Sequence, residues 1–516
     1  MESRKAFCPT LRFDPQVWDY FQRWFGSENL QDICKALCRP SLSTSLRVNI
    51  LRTTPQDVLQ KLGMLLPANT LADCQPAVHA GIDGIVVLKG MGPKTVDYSE
   101  EGLKEIVVDR KTGEAVLRGA DVFVPGVLAC SPGLSKGDRV AVCIALERPG
   151  SDWCGITRGT VLGSDHSQAL DAVDRSSLYI GIGRAQMSRV ELFRVRQGVA
   201  VTMEDPVFRI PSCSGLLIGD AMLQNLPSFI AAKVLAPRPG WRVIDMCAAP
   251  GGKTTAIAAL MQDQGQVIAL DRTHRKAASI TALACEMGLT CINAYKMDAC
   301  HAVLHDGQLQ QDSAIENPVD TAEEINPKVA KRNMRKAAAR AARGLDPMED
   351  PGATCHTKAN GFTAGSFDGV LLDAPCTALG LRPRLLHRQT MGDLISTASY
   401  QRKLLDVAVQ LMKPGGSLVY STCTINPGEN EENVWHVLHR HPKMRLVSQE
   451  PHLGGPGLAG PMHSGGGVNE DKRLTDEQRA LVQRFDPCSS LDTIGFFIAK
   501  FQKDGPELSD VLDSND

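Results

Sequence analysis

The sequence predicts an α/β protein whose largest part is a mostly parallel, doubly wound sheet, preceded by a small α+β region and a β-barrel. Two observations carry the sheet. After Pro237 and Pro239 short apolar strands alternate with helices, and the first of these strands runs into a glycine turn that opens a helix. A third observation, closely spaced β-type runs separated by glycine turns between Ile106 and Met203, carries the barrel.

In chain order, Val17, Tyr20, Phe21, Trp24 and Phe25 recur at helical spacing, and Val58, Leu59, Leu62 and Leu65 repeat the pattern after Pro55. Both predict core-facing helices. Between them Leu46 to Leu51 alternates like a short strand, so residues 1–106 form the expected α+β region. The runs AVLRGADVFVPGVLA, GDRVAVCIAL, SLYIGIGRAQ and GVAVTM then predict the strands of a compact barrel over 107–203.

From 204 to 516 the expected strands are Arg242 to Met246, Gln266 to Leu270, Cys291 to Lys296, Gly369 to Leu372, Ser417 to Tyr420 and Gly495 to Lys500. Thr254 to Met261 and Tyr400 to Met412 are the expected helices. One interval, about 305–362, breaks the rhythm: an acidic polar stretch leads to Lys328, Lys331, Arg332, Arg335, Lys336, Arg340 and Arg343 among alanines. It reads as an insertion with one basic helix. A solvated surface element is the plain explanation, and RNA contact or a nuclear address the sharper one.

A net charge of −2 means that any nucleic-acid contact must come from local basic surfaces. No signal-type leader or long apolar span is present, so the expected compartment is reducing and cytoplasmic, with no membrane partner. Most of the sixteen cysteines are then small buried apolar groups. Cys34 and Cys38 lack a second pair at metal-ligand spacing, and no metal is expected.

Asp245-Met246-Cys247-Ala248-Ala249-Pro250-Gly251-Gly252-Lys253-Thr254 is the strongest ligand signal. Its glycines admit close backbone approach, and the helix start offers free N–H groups. Gly252-Lys253-Thr254 ends like a triphosphate-binding loop, but Cys247 stands where that motif needs its first glycine. Asp271 ends the next strand, where an acid meets ribose hydroxyls, so adenosine fits better. Asp298 follows the third strand and can accept from an adenine amine; capping the next helix is the alternative.

The fourth strand ends in Leu372-Asp373-Ala374-Pro375-Cys376 and the fifth in Tyr420-Ser421-Thr422-Cys423-Thr424. Neighbouring strand ends face one crevice, so both thiols approach whatever lies beside the cofactor. A thiolate there suits covalent catalysis on a carbon that needs activation, such as carbon 5 of cytosine. Asp373 is placed to bind the ring edge, and Lys253 to lower a thiol's pKa or orient the ring. Residue types alone do not rank the two cysteines.

CAAPGGKT, LDAPC and YSTCT, followed by Asn426-Pro427-Gly428-Glu429-Asn430-Glu431, resemble the NSUN family of RNA 5-methylcytosine methyltransferases. Arg484-Phe485-Asp486-Pro487 and the run Gly495 to Phe501 extend that resemblance over residues 204–516. It implies a class I, Rossmann-like methyltransferase core that uses S-adenosyl-L-methionine. Contacts to the cofactor are implied at Cys247, Ala248, Ala249, Pro250, Gly251, Gly252, Lys253, Asp271, Asp298 and Asp373. Cys423 is implied as the nucleophile and Cys376 as the thiol that helps release product. Cytosine methyltransferases of DNA carry their nucleophile in a Pro-Cys pair, which makes Cys376 the rival; Thr422-Cys423 favours the RNA-type assignment. Two departures stand out: Thr377-Ala378-Leu379-Gly380 where the family commonly has Ser-Gly-x-Gly, and Cys488 where histidine is frequent.

Arg118-Gly119-Ala120-Asp121-Val122, Pro125-Gly126 and Gly137-Asp138 resemble a PUA domain, an RNA-binding pseudo-barrel. With that barrel ahead of the core, the chain resembles the PUA-containing, tRNA-modifying members of the family. A tRNA partner is implied, gripped at the acceptor stem and 3′ CCA end, with messenger RNA a further candidate and a monomeric protein expected. Arg118, Lys136, Arg184 and Arg189 are candidate phosphate contacts. The competing readings are a catalytically inactive RNA-binding protein and a methyltransferase acting on rRNA or DNA.

Overall fold

A computed structural model of the chain describes residues 4–148, 151–163, 176–213, 215–304, 361–460 and 473–505. The interval 305–360, with the expected basic helix, lies outside the described residues.

Helices α1 (Pro15–Phe25) and α2 (Ser27–Leu37) bury Phe21, Trp24, Leu30 and Ile33. Asp14 accepts from the Gln16 N–H to start the first, and Gly26 separates the two at a φ of 75°. Next come β1 (Ser43–Val48), α3 (Pro55–Leu65), α4 (Ala68–Cys74), β2 (Ala77–Val78) and β3 (Ile85–Lys89). The strand expected to run to Leu51 stops at Val48. Asn49 turns its buried amide to the carbonyls of Gly219 and Met287, at 2.9 and 2.8 Å, and the chain bends away, leaving Ile50 and Leu51 exposed.

The barrel region comprises β4 (Lys104–Asp109), α5 (Arg110–Leu117), β5 (Val122–Phe123), β6 (Val127–Cys130), β7 (Arg139–Ala145), β8 (Thr160–Val161), β9 (Tyr179–Ala185), α6 (Arg189–Arg194) and β10 (Val199–Pro206). Its strands form one seven-stranded sheet in the order β5-β10-β9-β7-β4-β6-β8. Ala115 to Leu117, expected as strand, are the end of α5. Asp109 caps that helix by accepting from the Thr112 N–H at 2.7 Å, and three apolar residues are too few to show which period they follow.

After the barrel, β11 (Ala221–Leu223) pairs antiparallel with β1, Leu223 opposite Leu46, completing a four-stranded sheet in the order β11-β1-β3-β2. The barrel is thus an insertion between two strands of the N-terminal sheet.

The core follows as α7 (Leu226–Leu235), β12 (Arg242–Asp245), α8 (Gly252–Leu260), β13 (Gln266–Asp271), α9 (His274–Met287), β14 (Ile292–Lys296), β15 (Phe367–Asp373), α10 (Met391–Leu411), β16 (Met412–Thr422), α11 (Glu431–Arg440), β17 (Met444–Leu446), α12 (Asp476–Leu481), β18 (Gln483–Phe485) and β19 (Phe496–Lys503). The main path of its sheet is β14-β13-β12-β15-β16-β19-β17. Strands β12 to β16 are parallel, and β19 runs antiparallel to β16, β17 and β18. Successive residues go to opposite faces: Val243, Val267, Leu371 and Val419 pack with α7 and α8, whereas Ile244, Ile268, Leu372 and Tyr420 pack with α10. Both faces are covered, which is why these strands read as apolar runs rather than alternations. The chain moves outward from β12 to β14 and returns as β15 on the other side, so the order reverses between β12 and β15. A ligand crevice opens at such a point, beyond the strands' carboxyl ends.

Candidate active site

The loop from β12 to α8 turns at Gly251, whose φ of 108° suits glycine and whose N–H donates to the Ala248 carbonyl at 2.7 Å. The Ala248 N–H holds the loop to β13 by donating to Leu270 O at 2.9 Å. Beside it is a cavity of about 210 Å³ lined by Cys247, Ala248, Ala249, Pro250, Gly252, Lys253 and Asp373, together with Gln224, Asn225, Ser228 and Asp245. Gly251 sits behind as the turn. Asp271 braces the loop, accepting from the N–H groups of Ala249 and Arg272 at 3.3 and 2.7 Å. Asp298 accepts from the Cys300 N–H at 3.1 Å and lies 3.5 Å from Arg272, so it does cap the following turn.

Two acceptors in this wall have no partner among the described residues, Gln224 Oε1 and Asp245 Oδ1. Thr254 donates to the other Asp245 oxygen at 2.7 Å, and burial pushes the Asp245 carboxyl up from 3.8 to about 7. Open acceptors in the wall and a glycine cradle under a helix start fit a ligand carrying both an ammonium and a carboxylate. Gln224 and Asn225 were not among the residues singled out in the sequence. They come from the short segment after β11, where no motif marks them.

At the ends of β15 and β16 the two thiols meet: Cys376 Sγ and Cys423 Sγ are 3.4 Å apart. Lys253 Nζ donates to Asp373 Oδ2 at 2.7 Å, and Ser421 Oγ donates to Asp373 Oδ1 at 2.7 Å. The hydrogen bond from Cys376 holds the Cys423 thiol below its usual range, helped by the Lys253 charge and opposed by burial and Asp373. Cys376 is pushed well up, by that same bond, by burial and by the Cys423 and Glu429 charges. Cys247 and Cys300 nearby are also raised, chiefly by burial. The two thiols are thus driven apart, Cys423 downward and Cys376 upward, a difference that residue types alone did not give.

Beyond the thiols, Gly380 N–H donates to Cys423 O at 3.0 Å, and Gly495 N–H donates to Gly380 O at 2.8 Å. A Cβ on Gly380 would fall on the Gly495 carbonyl. Glu429, Thr377, Thr424, Gln401 and Asn426 form a buried hydrogen-bonded cluster beneath both cysteines. The sequence shows Glu429 only as part of a motif.

Of the candidate phosphate contacts, Arg118 lines a second cavity of about 420 Å³, which shares Leu223, Gln224 and Asn225 with the first. Lys136 is exposed, Arg184 is bound to Glu204 at 2.6 Å, and Arg189 donates to Gly159 O at 2.6 Å. Cys34 and Cys38 are buried thiols, each pushed up to about 12 by burial. No helix among the described residues is long and apolar enough to cross a membrane.

Comparison with known proteins gives the family. The profile of the family described as 16S rRNA methyltransferase RsmB/F matches residues 232–316 and 353–502, and that of the PUA domain matches residues 104–149. The chain is 42% identical to the rRNA (cytosine-C(5))-methyltransferase NOP2C of Arabidopsis thaliana, over 96% of this chain and 92% of that protein. It is 31% identical to the tRNA (cytosine(72)-C(5))-methyltransferase NSUN6 of Homo sapiens, over 96% of this chain and 99% of that one. The chain belongs to the NSUN family of RNA 5-methylcytosine methyltransferases. The crystal structure of NSun6 from Pyrococcus horikoshii with SFG, an S-adenosylmethionine analogue, superposes at a TM-score of 0.68 with 27% identity, covering 96% of this chain and 99% of that one. This NSUN chain is accordingly an S-adenosylmethionine-dependent RNA cytosine-5 methyltransferase with a class I core and a PUA domain.

Proposed function

We propose that this chain methylates carbon 5 of a cytosine near the 3′ acceptor end of tRNA, with Cys423 as the covalent nucleophile. The observation that carries the mechanism is the 3.4 Å thiol pair next to the Lys253–Asp373 ion pair at the cofactor cavity. S-adenosylmethionine, when bound, would supply an electrophilic methyl group there, and the loop Cys247 to Lys253 with Asp271, Asp298 and Asp373 would hold it. Cys423 thiolate adds to carbon 6 of the ring, forming the S–C bond that makes carbon 5 nucleophilic. Asp373 and Lys253 meet the charge that develops along the ring edge. After carbon 5 is methylated, its proton leaves and the S–C6 bond breaks, restoring the aromatic ring; Cys376 assists that step. A paired cytosine must first leave its stack, at a cost of a few kcal/mol, and the PUA domain grips the RNA while it does so.

The tRNA target is supported by the PUA domain and by the relatives named as tRNA (cytosine(72)-C(5))-methyltransferases. The 42% identity to a protein named as an rRNA methyltransferase favours rRNA as the second reading. We further propose a cytoplasmic monomer that also accepts messenger RNA bearing the same local structure. Incubation with tRNA transcripts, rRNA fragments and messenger RNA fragments, followed by bisulfite sequencing, reports reaction and position together. Protection of one cytosine near the tRNA 3′ end is expected; protection confined to rRNA overturns the tRNA assignment. Cys376→Ala should accumulate a covalent RNA adduct and Cys423→Ala should form none, and the reverse pattern would exchange the two roles.

A further inference from the structure

Glu429 touches neither thiol, yet it ties together the two loops that carry them. Its side chain is fully buried. Oε2 accepts from the Thr377 N–H at 3.0 Å and from Gln401 Nε2 at 2.7 Å, while Oε1 accepts from Asn426 Nδ2 at 2.9 Å and from the Thr377 hydroxyl. Thr377 Oγ1 also lies 2.9 Å from Thr424 Oγ1, which accepts from the Asn426 N–H at 3.2 Å. The single hydroxyl proton of Thr377 is committed to the carboxylate, so the Thr424 hydroxyl is the donor to Thr377. The chain runs one way, from Thr424 to Thr377 to Glu429, and needs a group that only accepts at its end.

Thr377 follows Cys376 and Thr424 follows Cys423. The 2.9 Å hydroxyl contact therefore runs beside the 3.4 Å thiol contact like a second rung. Glu429 is itself pinned, because Tyr420 OH and Asn433 Nδ2 both donate to its carbonyl oxygen. A buried carboxylate is costly unless its acceptors are filled, and the partners of this one among the described residues are neutral donors from the loop after Cys376, from α10 and from its own turn.

We infer that Glu429 is a positioning residue for product release: through Thr377 and Thr424 it sets how Cys376 stands relative to Cys423 while the latter is bonded to the base. The inference rests on the proposed Cys423 nucleophile and Cys376 release roles. Addition and methyl transfer depend on Cys423, Lys253 and Asp373, none of which Glu429 contacts, and draw on Cys376 only through the contact that holds the Cys423 thiol low; release depends directly on where Cys376 stands. Disturbing Glu429 therefore separates the two halves of the reaction.

Glu429→Gln keeps the volume but turns one acceptor into a donor facing donors. Thr377→Val removes the hydroxyl rung and leaves the carboxylate. Both are expected to lose clearly less in a first round of methyl transfer, followed at a pH where Cys423 is ionised, than in multiple turnover, which falls about tenfold or more, and to accumulate denaturant-resistant RNA adduct as Cys376→Ala does. Thr377→Ser, which restores a hydroxyl, should rescue release. Should Glu429→Gln fail to bind S-adenosylmethionine, the Thr377 pair decides alone. Wild-type adduct levels in Thr377→Val, or first-turnover and multiple-turnover rates falling together, overturn the inference. Absence of adduct in Cys376→Ala itself brings down the underlying release mechanism, and this inference with it.

Discussion

Arg484 and Glu431 offer the sharpest test of how the core holds the nucleophile's loop. Arg484 Nη1 donates to both carboxylate oxygens of Glu431, at 2.8 and 3.0 Å, and the side chains are only 9% and 4% exposed. Nη2 donates to the carbonyl of Ile425, two residues past Cys423, and the guanidinium lies 5.3 Å from the Phe25 ring of α1. Arg484→Met strands a buried carboxylate, and Glu431→Leu strands a buried guanidinium; each should cost about 3–5 kcal/mol. The double variant removes both charges. It leaves the Ile425 carbonyl and the Leu458 N–H, which now donates to Glu431 at 3.0 Å, without these partners, for about 1–3 kcal/mol each at most. Urea unfolding followed by tryptophan fluorescence should therefore show the double variant costing well less than the two single ones added together, a coupling of about 3–4 kcal/mol at the middle of these ranges. Singles that simply add would refute the claim that the pair acts as one buried unit.

Three further outcomes are expected. Single-turnover methyl transfer should be half-maximal below pH 8.5, roughly where a free cysteine is half ionised, because Cys423 is held low; Lys253→Met removes a charge that lowers it, and alkylation of Cys423 by iodoacetamide should then need higher pH. Asp245, raised from 3.8 to about 7, binds its proton more tightly folded than unfolded, so stability present below pH 4 is lost as pH rises to about 7, by at most about 4 kcal/mol; thermal midpoints of the cofactor-free protein should fall over that window, and Asp245→Asn should flatten the fall. Ala378→Gly relieves a φ of 55° worth about 1–2 kcal/mol and raises unfolded-chain entropy by somewhat less, so denaturation should show a gain of about 0.5 kcal/mol, whereas a loss above about 1 would mean that the alanine methyl is needed.

The core strands were legible because both sheet faces are apolar, so Val243-Ile244 and Leu371-Leu372 stand out as runs between glycine and proline signals. The thiols were legible for a related reason: strand ends in a doubly wound sheet converge, and each cysteine closes one. What stayed hidden depends on contacts between distant parts of the chain. Ala115 to Leu117 became helix because Asp109 caps it, and Asn49 ended a strand because two carbonyls, at Gly219 and Met287, wait for its amide. Gln224 reaches the cofactor wall only because the chain returns from the barrel to pair with β1. Neither local spacing nor residue type carries that information.

The atypical loop after Cys376 shows how such distant contacts decide what a substitution means. Thr377 stands where the family commonly has serine, and it keeps the one feature its surroundings use, a hydroxyl between Glu429 and Thr424. Ala378 stands where glycine is common and is held at a left-handed φ that alanine disfavours. That strain persists because the residues on either side are fixed from elsewhere: Thr377 by Glu429, and Gly380 by the carbonyl of Cys423 and the N–H of Gly495. A shift of Cys376 caused by the added methyl group would break bonds at both ends of the loop. The methyl group therefore strains the backbone at one residue rather than moving the thiol, and the 3.4 Å pair survives a sequence that departs from the pattern on the very residues beside it.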